Sequence, residues 1–193
     1  MSQKESLVIN YASSINEPQK KNSGGEPLDK DSPITSPAGT NTKSTNSSYK
    51  IRFQKAGYQD VGFLVFLCKL TMNTHLKTAG IDMTDDQHQA RVMEHFDDSY
   101  LIMLDDNPVG LIQLGVINKA IHIRQFQIHP DYQGRGLGKR VLDVCKKKAK
   151  QRNTSVTLYV LLENPAKNLY LRNGFEIEQT DKIQHFMRFV EGE

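Results

Sequence analysis

Residues 49–193 carry hydrophobic patterns of two periods, one typical of strands and one typical of helices. Alternating or β-branched apolar runs predict seven strands, at 49–55, 99–104, 109–116, 120–128, 156–161, 175–180 and 183–189. Turn-forming residues such as Asp105 to Pro108 separate them. The three middle strands follow one another without a helix, so we expect an antiparallel meander there.

Helical spacing of apolar residues predicts four helices, at 60–76, 84–96, 137–151 and from Asn164-Pro165 to Gly174. Thr84 and Gln87 have the spacing of a capping box. Pro165 suits the first turn of a helix. The resulting order, β α α β β β α β α β β, predicts a mixed α/β (α+β) fold.

The first 48 residues lack such patterns. They contain ten Ser, five Asn, four Thr and four Pro, but only one Tyr and no Phe or Trp. A segment of this composition cannot bury enough apolar surface to offset the entropy of ordering. We therefore expect a disordered tail at 1–48 and a single domain at 49–193.

Charge is divided unevenly within that domain. Residues 49–118 contain six Lys/Arg and nine Asp/Glu, a net charge of −3. Residues 119–193 contain fourteen Lys/Arg and eight Asp/Glu, a net charge of +6. A phosphate-bearing ligand would prefer the second part. The basic run 145–152 has no interleaved aromatic residues and ends a predicted helix, where cations are favourable, so no nucleic-acid partner is expected.

Two cysteines, Cys68 and Cys145, exclude a disulfide framework and argue against a zinc site; we expect no metal. The first residues lack the apolar core of a signal peptide. The longest apolar run, 61–70, is half the length of a membrane span, so no membrane partner is expected. These features predict a cytoplasmic protein.

A glycine-rich turn, Gln133-Gly134-Arg135-Gly136-Leu137-Gly138, follows a predicted strand and opens a helix. Backbone N–H groups at such a helix start form a natural phosphate site. Lys139 and Val141 stand where a dinucleotide fingerprint would need its last glycine, and Arg140 stands where a P-loop needs Ser or Thr. On this feature alone, a tight turn without a ligand remains an equal alternative.

Two blocks of sequence resemble the acetyl-CoA-binding region of the GNAT family of N-acetyltransferases. Gln133, Gly136 and Gly138 match its Gln/Arg-x-x-Gly-x-Gly/Ala pattern after His-Pro-Asp-Tyr. The second block, roughly 30 residues on, comprises Leu158-Tyr159-Val160, Asn164-Pro165-Ala166, Leu169-Tyr170 and Asn173-Gly174-Phe175. The resemblance covers 49–190.

This resemblance implies a GNAT-like central mixed sheet of about seven strands with helices on both faces. It also implies acetyl-CoA as cosubstrate and direct acetyl transfer to a primary amine in a ternary complex. A catalytically silent module of the same fold that binds acyl-CoA or a partner is the alternative. Monomer and homodimer both remain open.

The resemblance also implies where acetyl-CoA binds. The strand end Phe126, Gln127 and Ile128 would hold the pantetheine arm, with the Ile128 N–H polarising the thioester carbonyl. Asn164 would bond the same arm, or only cap the helix. The pyrophosphate would lie on Gln133, Gly134, Arg135, Gly136, Leu137, Gly138 and Lys139.

Three residues are candidates for proton transfer. By resemblance, Tyr170 would protonate the leaving thiolate, with a packing role as the alternative. His122 is the first candidate for the base; it shares a side of its strand with Arg124 and Phe126 if no bulge intervenes. Glu163 is the second candidate for the base.

The acceptor is not defined by the sequence. A small amine, an antibiotic, a polyamine, a protein N-terminus and a Lys side chain all remain. Acidic residues of the predicted front helices favour a cationic amine: Asp82, Asp85, Asp86, Glu94, Asp97 and Asp98. Cys68 and Cys145 are expected to lie away from the thioester, so no covalent relay is predicted.

Overall fold

A seven-stranded open sheet runs through the computed structural model, which describes residues 50–190. The tail predicted at 1–48 lies outside the described residues. The spatial order is β1-β2-β3-β4-β5-β7-β6. The strands are β1 (Ile51–Lys55), β2 (Ser99–Leu104), β3 (Asn107–Ile117), β4 (Ala120–Ile128), β5 (Val156–Leu161), β6 (Glu176–Thr180) and β7 (Gln184–Phe189).

All neighbouring strands are antiparallel except β4 and β5, which are parallel. Four helices cover the sheet: α1 (Val61–Thr78), α2 (Asp85–Met93), α3 (Leu137–Gln151) and α4 (Ala166–Arg172). This arrangement confirms the predicted mixed α/β fold with an antiparallel meander in front.

Helix α2 begins as predicted and ends earlier than predicted. The Gln87 backbone N–H donates to Thr84 Oγ1 at 3.3 Å, and the Thr84 N–H donates to Gln87 Oε1 at 2.8 Å, which completes the capping box. The helix stops at Met93 because Glu94 is extended and His95 has a left-handed φ of 53°. The chain therefore turns sharply at Glu94-His95, and both residues line the cavity between β4 and β5.

Each face of the sheet buries its own apolar cluster. One cluster joins α3 and α4 to the sheet through residues such as Val141, Leu142 and Phe175. The other joins α1 and α2 to the opposite face through Leu64, Leu67 and Val92. The site described below opens between these two layers.

Pairing between β4 and β5 extends over only three residues of each strand, Ile121–Ile123 and Val156–Leu158. Beyond Ile123 the two strands diverge, while β4 stays paired with β3 and β5 stays paired with β7. A gap therefore opens between two central strands.

A bulge in β4 lies where this gap begins. Gln125 is opposite Gln113, but Ile123 is opposite Leu114, so Arg124 is the extra residue. The bulge changes which side chains share a face. Phe126 packs with Ile123 against the α3 cluster, and not on the face of His122 as strict alternation predicts. Because one residue is inserted, every side chain after Arg124 changes sides.

Two buried glutamines hold the end of α2 against the sheet. Gln113 Nε2 donates to the Glu94 carbonyl at 2.6 Å. Gln125 Nε2 donates to the Arg91 carbonyl at 2.9 Å and to Gln113 Oε1 at 3.2 Å. Cys68 Sγ donates to Gln125 Oε1 at 3.3 Å and so adds α1 to the network. These bonds fix the position of Glu94 and Arg91.

We expect Gln125→Leu to lower the free energy of unfolding by about 2–3 kcal/mol, because it leaves Gln113 Oε1 and the Arg91 carbonyl buried without their donor. The control is Gln179→Leu, at an exposed position of β6, which should change stability by at most about 0.5 kcal/mol. Urea denaturation measures both. Equal effects of the two substitutions would contradict the role of the network.

Candidate active site

A cavity of about 350 Å³ occupies the gap between β4 and β5. Its size is at the lower end for small-molecule sites. The end of α2, the bulged part of β4, the outer half of β5 and the start of α4 all contribute to its wall. The lining residues used below are Arg91, Glu94, His122, Arg124, Gln127, Asn164 and Tyr170.

The backbone at the end of β4 directs a donor toward this gap. The His129 N–H donates to the Val109 carbonyl of β3 at 2.8 Å. Because successive residues of an antiparallel strand point their polar groups to opposite edges, the N–H and C=O of Ile128 point away from β3. Gln133 Nε2 donates a hydrogen bond to the Ile128 carbonyl at 2.8 Å. The Ile128 N–H is then directed to the gap.

The glycine-rich turn leaves its backbone open to a ligand. Gly134 and Gly136 have left-handed φ values of 71° and 75°, and a Cβ at either position would meet nothing within 4 Å. Gly136 is the N-cap of α3, and no side chain caps the helix. The first N–H groups of α3 therefore lack intrahelical partners, and the space beside Gly134 and Gly136 is open, as an anion site requires.

Side chains of the same turn are engaged within the protein. Arg135 Nη2 donates to the Asp131 carbonyl at 2.7 Å, and Lys139 pairs with Asp143 at 2.6 Å. Leu137 is buried in the core, and a Cβ on Gly138 would approach Leu169 Cδ2 at 2.9 Å. The structure thus leaves the backbone of 134–139, and not its side chains, available at this candidate anion site.

Tyr170 of α4 lies on the cavity wall and is only 6% exposed. Its ring packs edge-on against Phe175 at 5.7 Å, and its hydroxyl has no hydrogen-bond partner among residues 50–190. Burial raises the pKa of Tyr170 well above its usual range. The hydroxyl therefore stays protonated at neutral pH and is able to donate a proton. The packing and proton-donor roles are compatible.

His122 also faces the cavity, and its Nδ1 lies 2.9 Å from Thr157 Oγ1. Its ring contacts Tyr159 edge-on at 5.7 Å. Burial, and next the positive charge of Arg124, lower the pKa of His122 to about 4. His122 is therefore a neutral imidazole at pH 7.

The positions of Glu163 and Glu94 relative to the cavity differ from what the sequence predicts. Glu163 is exposed in the loop between β5 and α4 and does not line the cavity. Glu94, which sequence reasoning counted only as part of an acidic surface, does line it. The left-handed turn at His95 places Glu94 there, and no sequence motif indicates such a turn.

The other acidic residues of the front helices do not line the cavity. Asp85 pairs with Lys69 at 2.7 Å, and Asp82, Asp86 and Asp97 are exposed. The acidic cluster is therefore mainly solvent-facing surface. A cationic acceptor would need a negatively charged cavity wall, and these acidic residues do not provide one.

Asn164 caps α4 and also lines the cavity. Its Oδ1 accepts from the Ala166 N–H at 2.9 Å and so starts α4, while the residue also lines the cavity. The capping bond uses only the oxygen. The amide nitrogen remains available as a donor.

The described part of the chain contains no group of three or more His, Cys, Asp or Glu side chains that could hold a metal ion. None of the helices within 50–190 is long and apolar enough to cross a membrane.

Residues 64–175, more than half of the chain, match the Acetyltransferase (GNAT) family. The chain therefore belongs to the GNAT family. No curated protein matches it significantly.

Solved structures share the fold. PaiA N-acetyltransferase from Thermoplasma acidophilum, in complex with coenzyme A, is 19% identical with a TM-score of 0.59, over 74% of this chain and 99% of that chain. An acetyltransferase from Thermus thermophilus is 18% identical with a TM-score of 0.60, over 72% of this chain and 95% of that chain. Naa50 from Arabidopsis thaliana, in complex with the bisubstrate analogue CoA-Ac-MVNAL, is 15% identical with a TM-score of 0.54. The match covers 73% of this chain and 99% of that chain.

The buried His122 should make the protein less stable in mild acid. Its pKa in the folded state, about 4, lies below the ordinary 6.5, so the unfolded chain binds the proton first as the pH falls. Stability is therefore lost from about pH 6.5 down to pH 4, and we expect about 2 kcal/mol of this loss between pH 7 and pH 5.

His122→Gln keeps a polar partner for Thr157 and removes the titration. The measurement is the free energy of unfolding at pH 7 and pH 5 in both proteins. His88 and His185, whose pKa values are also lowered by burial, are present in both and cancel. An equal loss of stability in wild type and variant would contradict the position of His122.

Proposed function

We propose that this protein is an acetyl-CoA-dependent N-acetyltransferase that transfers the acetyl group directly to a primary amine in a ternary complex. One observation carries the proposal. The cavity between the diverging strands β4 and β5 is lined by a protonated Tyr170 and a neutral His122, and β4 continues directly into the glycine-rich turn that begins the uncapped helix α3. Family membership supports the same reaction class.

Acetyl-CoA would lie along this gap. Its pyrophosphate would accept from the backbone N–H groups of 134–139, with Gln133 bracing the turn. The pantetheine arm would follow the free edge of β4 from Ile128 to Phe126. The thioester carbonyl would accept from the Ile128 N–H, and the Asn164 amide would reach the arm from the β5 side. Gln127 lies between these two residues, but its backbone polar groups point toward β3 and its side chain points to the opposite face.

The reaction needs two proton transfers. The amine nitrogen attacks the carbonyl carbon, a C–N bond forms, and the C–S bond breaks. Tyr170 gives its proton to the departing thiolate, and the attacking nitrogen loses a proton to a base. His122, neutral at pH 7, is our first candidate for that base. Glu94 replaces Glu163 as the alternative, because Glu94 lines the cavity.

Direct attack is favoured over an acyl-enzyme on chemical grounds. Burial raises the pKa of both thiols, Cys68 and Cys145, to about 11, so neither is a ready nucleophile. Cys145 lies in the same core cluster as Tyr170, closer to the site than expected, but it does not line the cavity. Two free, buried cysteines also support a reducing compartment such as the cytoplasm.

Gly136→Asp should weaken coenzyme A binding by at least about 2 kcal/mol, or about 30-fold, because it places a negative charge beside the pyrophosphate. Gly136→Asn is the matched control, since Asn tolerates the left-handed backbone equally well without the charge. Calorimetric titration measures both. Equal affinities of the two variants would remove the phosphate site from this turn.

Tyr170→Phe should lower kcat for acetyl transfer by about 10²-fold, because the thiolate leaves without a proton donor. Coenzyme A affinity should stay nearly unchanged. The control is Tyr100→Phe, which removes a hydroxyl from β2 outside the cavity. The assay is thiol release with mass spectrometry of the acetylated amine. Coenzyme A binding without acetylation of any amine in the wild type would favour a silent binding module.

The pH dependence of kcat/KM should identify the base. With a pKa of about 4, His122 would place the acidic limb well below neutrality, in contrast to an unperturbed histidine. His122→Gln should lower kcat/KM by about 10²-fold and remove that limb. Glu94→Gln is the parallel variant. A limb that persists in His122→Gln and disappears in Glu94→Gln would transfer the role to Glu94.

A further inference from the structure

Arg124 presents an unpaired positive charge to the cavity. It is the extra residue of the β4 bulge and lines the cavity wall. Among residues 50–190 its guanidinium has no hydrogen bond and no salt bridge, and its Nε is buried without a partner. Leaving such a group unpaired is costly, because a guanidinium in a partly buried site loses water and gains no anion in return.

The neighbouring strand accommodates this side chain. The guanidinium lies against Gly115 of β3, and a Cβ at position 115 would overlap Arg124 Nε and Nη2. Gly115 is directly opposite His122, so Arg124 lies on the same face as His122. Any larger residue at 115 would push the guanidinium away from its place beside His122.

Charges around Arg124 do not neutralise it. Arg91, His95 and His122 line the same cavity, and Glu94 is the single carboxylate among the described residues of the wall. The wall therefore carries a net positive charge when the histidines are neutral. Gln127 adds a buried Oε1 without a donor. Among the described residues, the Arg124 guanidinium therefore lacks an anionic partner and Gln127 Oε1 lacks a hydrogen-bond donor.

Coenzyme A does not supply that anion in the arrangement proposed above. Its phosphates would lie at the start of α3, on the face that α3 covers, whereas Arg124 lies on the face of α1 and α2. The only other ligand of the reaction is the acceptor.

We propose that the acceptor is a small amino carboxylate whose carboxylate binds the Arg124 guanidinium while its amine points to the thioester. The proposal rests on the acetyl transfer proposed above and specifies its substrate class. A guanidinium binds a planar carboxylate through two parallel hydrogen bonds, which gives the acceptor a fixed orientation. The ammonium form of the same acceptor can donate to Gln127 Oε1. This class replaces the purely cationic acceptor that the charge distribution of the sequence favours.

The test compares matched acceptors. The panel consists of α-, β- and γ-amino carboxylates, from glycine to γ-aminobutyrate and glutamate. Each one is assayed beside its carboxamide and beside a plain alkylamine. In the wild type we expect at least one carboxylate to exceed its carboxamide by about 10-fold or more in kcat/KM. Arg124→Gln should abolish this preference, and Arg124→Lys should keep part of it. The KM for acetyl-CoA should not change in either variant.

Arg172→Gln is the matched control, because it removes one positive charge from an exposed position of α4 outside the cavity. It should keep the full preference. A preference for carboxamides, alkylamines or polyamines in the wild type, or a carboxylate preference that survives in Arg124→Gln, would overturn the proposal while leaving acetyl transfer intact.

A binding experiment separates this site from the reaction itself. The protein saturated with coenzyme A is titrated calorimetrically with the N-acetyl derivatives of the same panel and with their amides. Binding of an N-acetyl carboxylate that Arg124→Gln weakens about 10-fold or more supports the carboxylate site even if no amine is acetylated. Absence of such binding together with absence of turnover overturns both proposals.

Discussion

The short pairing of β4 with β5 is the constraint on which the site depends. Only three residues of each strand are paired, and the bulge at Arg124 lies where the pairing stops. The divergence leaves backbone groups of β4 without a strand partner, and these groups supply the donor at Ile128. It also makes room for a cavity in the middle of a sheet whose other strands remain bonded.

Each wall of this cavity is held by a different layer of the fold. On one face the buried Tyr170 belongs to the cluster under α3 and α4, which also contains Leu137 at the uncapped start of α3. On the other face the Gln113–Gln125 pair holds Glu94 and its neighbours at the end of α2. In the arrangement proposed above, acetyl-CoA and the acceptor therefore bind on opposite faces of the sheet. Burial, and next the positive charge of Arg124, lower the pKa of His122 and keep it neutral at pH 7; the same positive charge is the basis of the anionic acceptor group proposed above.

Sequence reasoning predicts the fold well because strands, helices and caps are local. The Thr84–Gln87 box, the glycine-rich turn and the positions of the seven strands along the chain all follow from residues close together in the chain. The bulge was not predictable, since one inserted residue leaves the apolar pattern of β4 nearly unchanged. Its consequences, the face of Phe126 and the exposure of Arg124 to the cavity, were therefore missed. Glu94 and the glutamine pair were missed because they depend on tertiary contacts and on the left-handed backbone of His95.

A crystal structure of the protein with coenzyme A would test this arrangement most directly. We expect the pyrophosphate on the backbone N–H groups of 134–139, the pantetheine arm between β4 and β5, and the sulfur within hydrogen-bond reach of the Tyr170 hydroxyl. Arg124 should stay outside the coenzyme A contacts. Coenzyme A bound elsewhere, or the Arg124 guanidinium on its phosphates, would contradict this arrangement.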